Sequence, residues 1–298
     1  MTKIVSIISL KGGVAKTTTT VQLAECLSSP PFSKKVLVID LDPQTNATIA
    51  LIGEKRWKEN DKDGQTLFHL FNDKLEKTSV FDIDKALLSN VSNLKLPSLK
   101  LLSSSTQFID IQDRMYEIAH QTRYAIAPME VLKTTIYPKL NDFDYVLIDC
   151  PPNLGFITRN GIEISDYYLI PTIPDTLSAS GIPQIVKSIQ GFKLERLLKI
   201  ECLGLLITKY ASNSGAHKIA KSDLTDNFKK IFTELEIPSP PTIFEIHMPQ
   251  ADTTAKAMGF EDTPTTFKEK YGRSTSGNIY LHEYVTKLAE EFIKRVGD

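Results

Sequence analysis

Cysteine, tryptophan and long apolar runs are what this 298-residue chain has least of: three cysteines, one tryptophan and no uncharged apolar stretch near the roughly 18 residues of a membrane-spanning helix. Cys26, Cys150 and Cys202 stand singly and far apart, so no Cys-x-x-Cys or Cys/His cluster is available to hold zinc. They read as reduced, mostly buried thiols of a cytosolic protein. The run Ile4 to Leu10 is too short for the core of a signal peptide, and Lys11-Gly12-Gly13 interrupts it. An excess of charge is also missing. With a net charge of -1, the chain is not coated in positive charge, and any nucleic-acid contact must be a local patch. Neither an internal repeat nor a long low-complexity tract is present.

A hydrophobic content of 41% suffices for a substantial core. Short β-rich apolar runs recur at Ile4 to Ser9, Val36 to Leu41, Leu99 to Leu102, Tyr145 to Asp149, Tyr167 to Pro171, Cys202 to Thr208 and Thr242 to Ile246. Amphipathic segments such as Thr17 to Leu27 and Ile182 to Leu198 read as helices between them. This alternation predicts an α/β fold, a doubly wound, mostly parallel sheet with helices on both faces and ligand loops at the carboxyl ends of the strands. The expectation is one domain over residues 1–298, with a more variable helical region at about 54–140. The charge-dense Glu54 to Asp63 reads as a surface excursion, and Pro238-Ser239-Pro240-Pro241 as a rigid connection.

The segment Lys11-Gly12-Gly13-Val14-Ala15-Lys16-Thr17-Thr18 follows the first strand and opens a helix. Strand, glycine turn and helix start surround a polyphosphate with backbone N–H groups. Lys16 would reach the β- and γ-phosphates and Thr17 would offer its hydroxyl to Mg²⁺. The common pattern G-x-x-x-x-G-K-[ST] is not met, because Leu10 and Ala15 occupy its glycine positions. Ala15 is expected to keep a negative φ.

Two further strand ends carry acids. Asp40 and Asp42 lie two residues apart in Asp40-Leu41-Asp42-Pro43-Gln44-Thr45-Asn46, so they point to the same side and could hold a metal shell and orient a water. Asp149, before Cys150-Pro151-Pro152, would touch Mg²⁺ through water.

Lys11 before the double glycine, with the second lysine and the threonines, resembles the deviant Walker A motif K-G-G-x-x-K-[ST]-T of the ParA/MinD ATPases. Asp40 to Asn46 resembles the switch I motif of the ParA branch, D-x-D-P-Q-x-N, and Tyr145 to Pro152 resembles a Walker B strand with its switch II turn. Pro171 to Pro174 with Gly181, and Met248 to Ala257, are similar to later segments of that family, the second of them near the adenine in relatives. The likeness spans nearly the whole chain and is weakest between Gly53 and Asn141.

The resemblance implies a P-loop ATPase whose cofactors are ATP and Mg²⁺, with Lys11, Gly12, Gly13, Val14, Ala15, Lys16, Thr17 and Thr18 around the phosphates and Met248 and Pro249 near the base. Lys11, Lys16 and Asp42 take the catalytic roles, Lys11 by reaching a partner subunit's ATP. Thr17, Asp40 and Asp149 support the metal. The implied partners are a second copy in an ATP-dependent homodimer, nonspecific DNA of the nucleoid, and a ParB-like or other cargo adaptor that stimulates a slow hydrolysis; no membrane is involved. The cargo could be a plasmid, a chromosome or a protein organelle such as a carboxysome. Because the first strand starts near residue 3, a helix-turn-helix extension for operator binding is not expected.

The candidate basic surface comprises Lys218, Lys221, Lys229 and Lys230 together with Lys268, Lys270, Arg273, Lys294 and Arg295. Two alternatives stay open: a MinD-like membrane protein anchored through the apolar stripe of Tyr280 to Val296, and a metal-cluster-loading ATPase using Cys150.

Overall fold

The computed structural model describes residues 1–175, 179–237, 240–261, 263–273 and 280–297. Seven strands form one sheet: β1 (Lys3–Ile7), β2 (Val36–Asp40), β3 (Leu87–Leu88), β4 (Leu99–Leu102), β5 (Tyr145–Asp149), β6 (Tyr167–Thr172) and β7 (Glu201–Ile207). Their order is β3-β4-β2-β5-β1-β6-β7, parallel throughout except for the short edge strand β3. The central strands are continuous apolar runs because helices cover both faces. In β2, Leu37 and Ile39 enter one core layer and Val36 and Val38 the other; in β5, Val146 and Ile148 part from Tyr145 and Leu147 in the same way.

Register sets the site. Ile7 of β1 and Asp40 of β2 both pair with Asp149 of β5, so the ends of the three strands that carry the motifs lie level at one edge of the sheet. Helix α1 (Lys16–Ser28) leaves β1 at this edge, and α2 (Asn46–Lys62) leaves β2, bending at Gly53. The charged segment from Glu54 is therefore the second half of a helix rather than an excursion. The region between α2 and β5 contributes β3 and β4 to the sheet and otherwise consists of short helices around a core that includes Phe71 and Phe108.

Five of the seven expected strands, β2, β4, β5, β6 and β7, keep their bounds to within one residue at each end, and β1 ends two residues earlier than expected. Thr242 to Ile246 departs from expectation, contributing a single parallel bridge, Leu205 to Ile243. Side chains of the C-terminal helix (Leu281–Val296) take the backbone groups that a strand would use. Glu291 accepts from the N–H of Glu245 and Ile246, while Arg295 donates to the carbonyls of Thr242 and Ile243. Gly204 permits this approach, since a Cβ there would meet the Thr242 carbonyl oxygen at 2.5 Å. The apolar stripe of that helix, Leu281, Val285, Leu288, Phe292 and Val296, is buried in the core and leaves no face for a lipid surface. No helix among the described residues is long and apolar enough to cross a membrane. Of the expected proline connection, Pro238 and Ser239 lie outside the described residues.

Candidate functional site

A cleft of about 430 Å³ opens at the carboxyl edge of the sheet. One wall is the loop and first turns of α1, with Gly12, Gly13, Ala15, Lys16, Thr17 and Thr18. No side chain caps α1, so the N–H groups of its first turn face the cleft without a protein acceptor at its cap. Gly13 and Ala15 both adopt positive φ, 78° and 66°. The expectation of a negative φ at Ala15 is thus corrected: the turn from β1 into α1 demands a left-handed residue, and alanine takes it at a cost. Val14 does not reach the cleft. It is buried, and its carbonyl accepts from the Thr208 hydroxyl at 3.0 Å, tying the loop to the end of β7.

Met248 and Pro249 line the opposite wall with Thr254 and Met258. Their segment is held to β7 by backbone bonds, Met248 N–H to the Ile207 carbonyl and Tyr210 N–H to the Met248 carbonyl, each 2.9 Å. Thr208, Lys209 and Gln22 also line the cleft and were not singled out from the sequence. Thr208 and Lys209 had a usable signal, their position just past a strand end; Gln22, inside a helix, had none.

The three acids stand differently. Asp42 lines the cleft, only 5% exposed, and its carboxylate accepts from the Gln44 N–H at 2.9 Å. Burial raises its pKa, opposed by that hydrogen bond and by nearby Lys16. Asp40 lies one layer beneath. Fully buried, it accepts from the backbone and hydroxyl of Thr48, at 2.9 and 2.7 Å, and from the Asp42 N–H at 3.1 Å. It fastens the first turn of α2 rather than facing the cleft. Burial, and then the charge of Asp149 beside it, hold its carboxyl well above the usual range. Asp149, also fully buried, meets the hydroxyls of Thr17 and Thr20; burial pushes it up to about 7 despite them. Its Oδ2 has no hydrogen-bond partner among the described residues, although the carboxylate lies beside Thr17 in the first turn of α1. A hard cation held through water at Thr17 would supply that partner, so the donor set fits Mg²⁺.

Lys11 is set apart from this group. It does not line the cleft; its Nζ lies 3.3 Å from Asp175 Oδ1 with both side chains nearly 40% exposed. The cysteines are free, with Cys26 and Cys150 buried, and no group of three or more His, Cys, Asp or Glu among the described residues could hold a metal.

A family profile described as an AAA domain matches residues 2–201. The sporulation initiation inhibitor protein Soj of Bacillus subtilis is 31% identical over 210 residues, 70% of this chain and 73% of its own length. This chain belongs to the ParA-type family of partition ATPases. A second ParA-family relative, the chromosome partitioning protein ParA of Myxococcus xanthus, is 29% identical over 240 residues, 79% of this chain and 75% of its own length. The fold of the family extends over the whole chain. Apo McdA of Cyanothece covers 100% of both chains with a TM-score of 0.70 at 22% identity, and a variant of McdA in complex with ATP matches with a TM-score of 0.68 at 21% identity, over 99% of this chain and 96% of its own.

Proposed function

We propose that this ParA-family ATPase is an ATP-driven dimerising switch. In its ATP state it binds DNA without sequence preference in the cytoplasm and positions a plasmid, chromosome or protein organelle. A separate adaptor, ParB-like or otherwise, stimulates its slow hydrolysis. The observation that carries this reading is the position of Lys11, adjacent to the phosphate loop yet turned out of its own cleft toward Asp175. A lysine so placed can serve a second copy's phosphates, which makes hydrolysis conditional on pairing.

Within one subunit, the N–H groups at the start of α1 and Lys16 bind the phosphates, and Thr17 with Asp149 Oδ2 would hold Mg²⁺ through water. When bound, Mg²⁺ neutralises charge on the β- and γ-phosphates. Asp42 orients the attacking water: its carboxylate faces the cleft, and its burial-raised pKa favours proton acceptance. Water adds to the γ-phosphorus as the bond to the bridging oxygen breaks, leaving ADP and phosphate. Asp40 acts through Asp42, whose backbone N–H it holds. Met248 and Pro249 lie on the wall that would face the base.

The experiment is electrophoretic mobility of plain duplex DNA with ATP, with ADP and without nucleotide. Retardation in the ATP lane alone is expected; equal binding in all three lanes would remove the switch.

A further inference from the structure

Gln22 is a buried polar side chain whose amide nitrogen meets no partner among the described residues. It sits in the second turn of α1, is 2% exposed, and lines the cleft. Its Nε2 is buried with no acceptor, and the residue forms no side-chain hydrogen bond among the described residues. Three polar neighbours on the same helix contrast with it, although Ser28 Oγ at the end of α1 is likewise without a partner. Thr19 and Thr20 bond back to the carbonyls of Ala15 and Lys16, and Glu25 is saturated by Ser92, Lys270 and Tyr271. Buried amides are rarely left in this state, because an unmade bond carries the whole desolvation cost of the donor.

Helical spacing locates the missing partner. Gln22 is four residues after Thr18 and so lies one turn further along the same face, about 6 Å from it. Thr18 borders the phosphate end of the cleft, while Met248, Thr254 and Met258 form the wall beyond. We infer that Gln22 is a specificity-determining residue that donates from Nε2 to the nucleoside half of the bound nucleotide, to a base acceptor or a ribose oxygen. This rests on the cleft being the nucleotide site. Nε2 has no protein acceptor and binding satisfies it, so the bond favours the liganded state by more than an exposed hydrogen bond would.

Gln22→Met keeps the volume without the donor, and Gln22→Glu keeps the shape while turning donor into acceptor. Titration calorimetry with ADP, which leaves dimerisation out, should show affinity reduced about tenfold or more in both variants. Apo thermal stability of Gln22→Met should equal or exceed that of the wild type. GDP, 2′-deoxy-ADP and inorganic pyrophosphate locate the contact. A loss that shrinks with GDP assigns it to the base, one that shrinks with 2′-deoxy-ADP to the ribose, and pyrophosphate should bind wild type and variants alike. Unchanged ADP affinity in the variants, an equal loss across all four ligands, or a fall in apo stability without a fall in affinity would each overturn the inference. A wild type that failed to bind ADP would overturn the nucleotide site itself, a result distinct from these.

Discussion

Lys11 Nζ and Asp175 Oδ1 lie 3.3 Å apart outside the cleft, in a pair on one subunit that an intersubunit role for Lys11 must break. An exposed pair of this kind contributes at most about 1 kcal/mol. Asp175→Asn should therefore lower the protein concentration at which ATP drives pairing, by up to about fivefold, with ADP affinity unchanged. Analytical ultracentrifugation over a concentration series measures this, and an unshifted midpoint would show that the pair holds nothing back.

Ala15 sits at φ 66° where the phosphate loop turns into α1. Left-handed alanine costs about 1 kcal/mol relative to glycine. Ala15→Gly should accordingly raise the urea midpoint by an amount equivalent to about 1 kcal/mol while leaving the cleft intact. Lower stability in this variant would mean that the methyl group makes packing contacts worth more than the strain.

Asp149 gives the site a pH signature. Its carboxyl is near 7 in the fold against an ordinary 3.8, so between those values the folded state holds the extra proton. Its contribution is fully present below about pH 4 and is lost as pH rises through about 7, the sign expected for a raised acid. In the absence of nucleotide, Asp149→Asn should flatten that part of the stability profile and be more stable than wild type at pH 8. Mg²⁺ with ADP should stabilise the wild type more than the variant there. Superimposable pH profiles from urea unfolding would remove Asp149 from the account.

Strands and phosphate loop were legible because their signals are local. A continuous apolar run such as Val36 to Ile39 marks a strand buried on both faces, and glycines followed by Lys16 and Thr17 mark a strand-to-helix turn. What was not legible depends on distant partners. Thr242 to Ile246 has strand composition, but its backbone is claimed by Glu291 and Arg295 from the last helix. Strand alternation would put Asp40 and Asp42 on one side, yet Asp42 lines the cleft while Thr48 draws Asp40 down into the start of α2. The sign of φ at Ala15 follows from the turn, not from the alanine.

The basic surface is narrower than its lysine and arginine count. Lys270 is buried against Glu25, and Arg295 is taken up by Glu291 and three carbonyl groups, so neither can serve DNA. The helix Gly215–Glu234 presents Lys218 and Lys229 exposed, with Lys221 partly so, its Nζ 6.0 Å from the Tyr210 ring. The double substitution Lys218→Glu and Lys221→Glu should weaken ATP-state DNA binding and lower its salt dependence by about two ions or more. Lys270→Ala should instead destabilise the fold by about 3 kcal/mol, by stranding Glu25. Fluorescence anisotropy across a salt series separates the two, and an unchanged slope in the double variant would move the DNA face elsewhere.

The central claim is that ATP assembles a site split between two subunits. Sedimentation velocity of the 33.4 kDa chain with Mg²⁺ and ATP, with ADP and without nucleotide tests it most directly. The account predicts a species of twice that mass with ATP alone, absent in Lys11→Ala and longer-lived in Asp42→Ala. A single monomer mass in every condition, or a dimer indifferent to nucleotide and to Lys11, would contradict it.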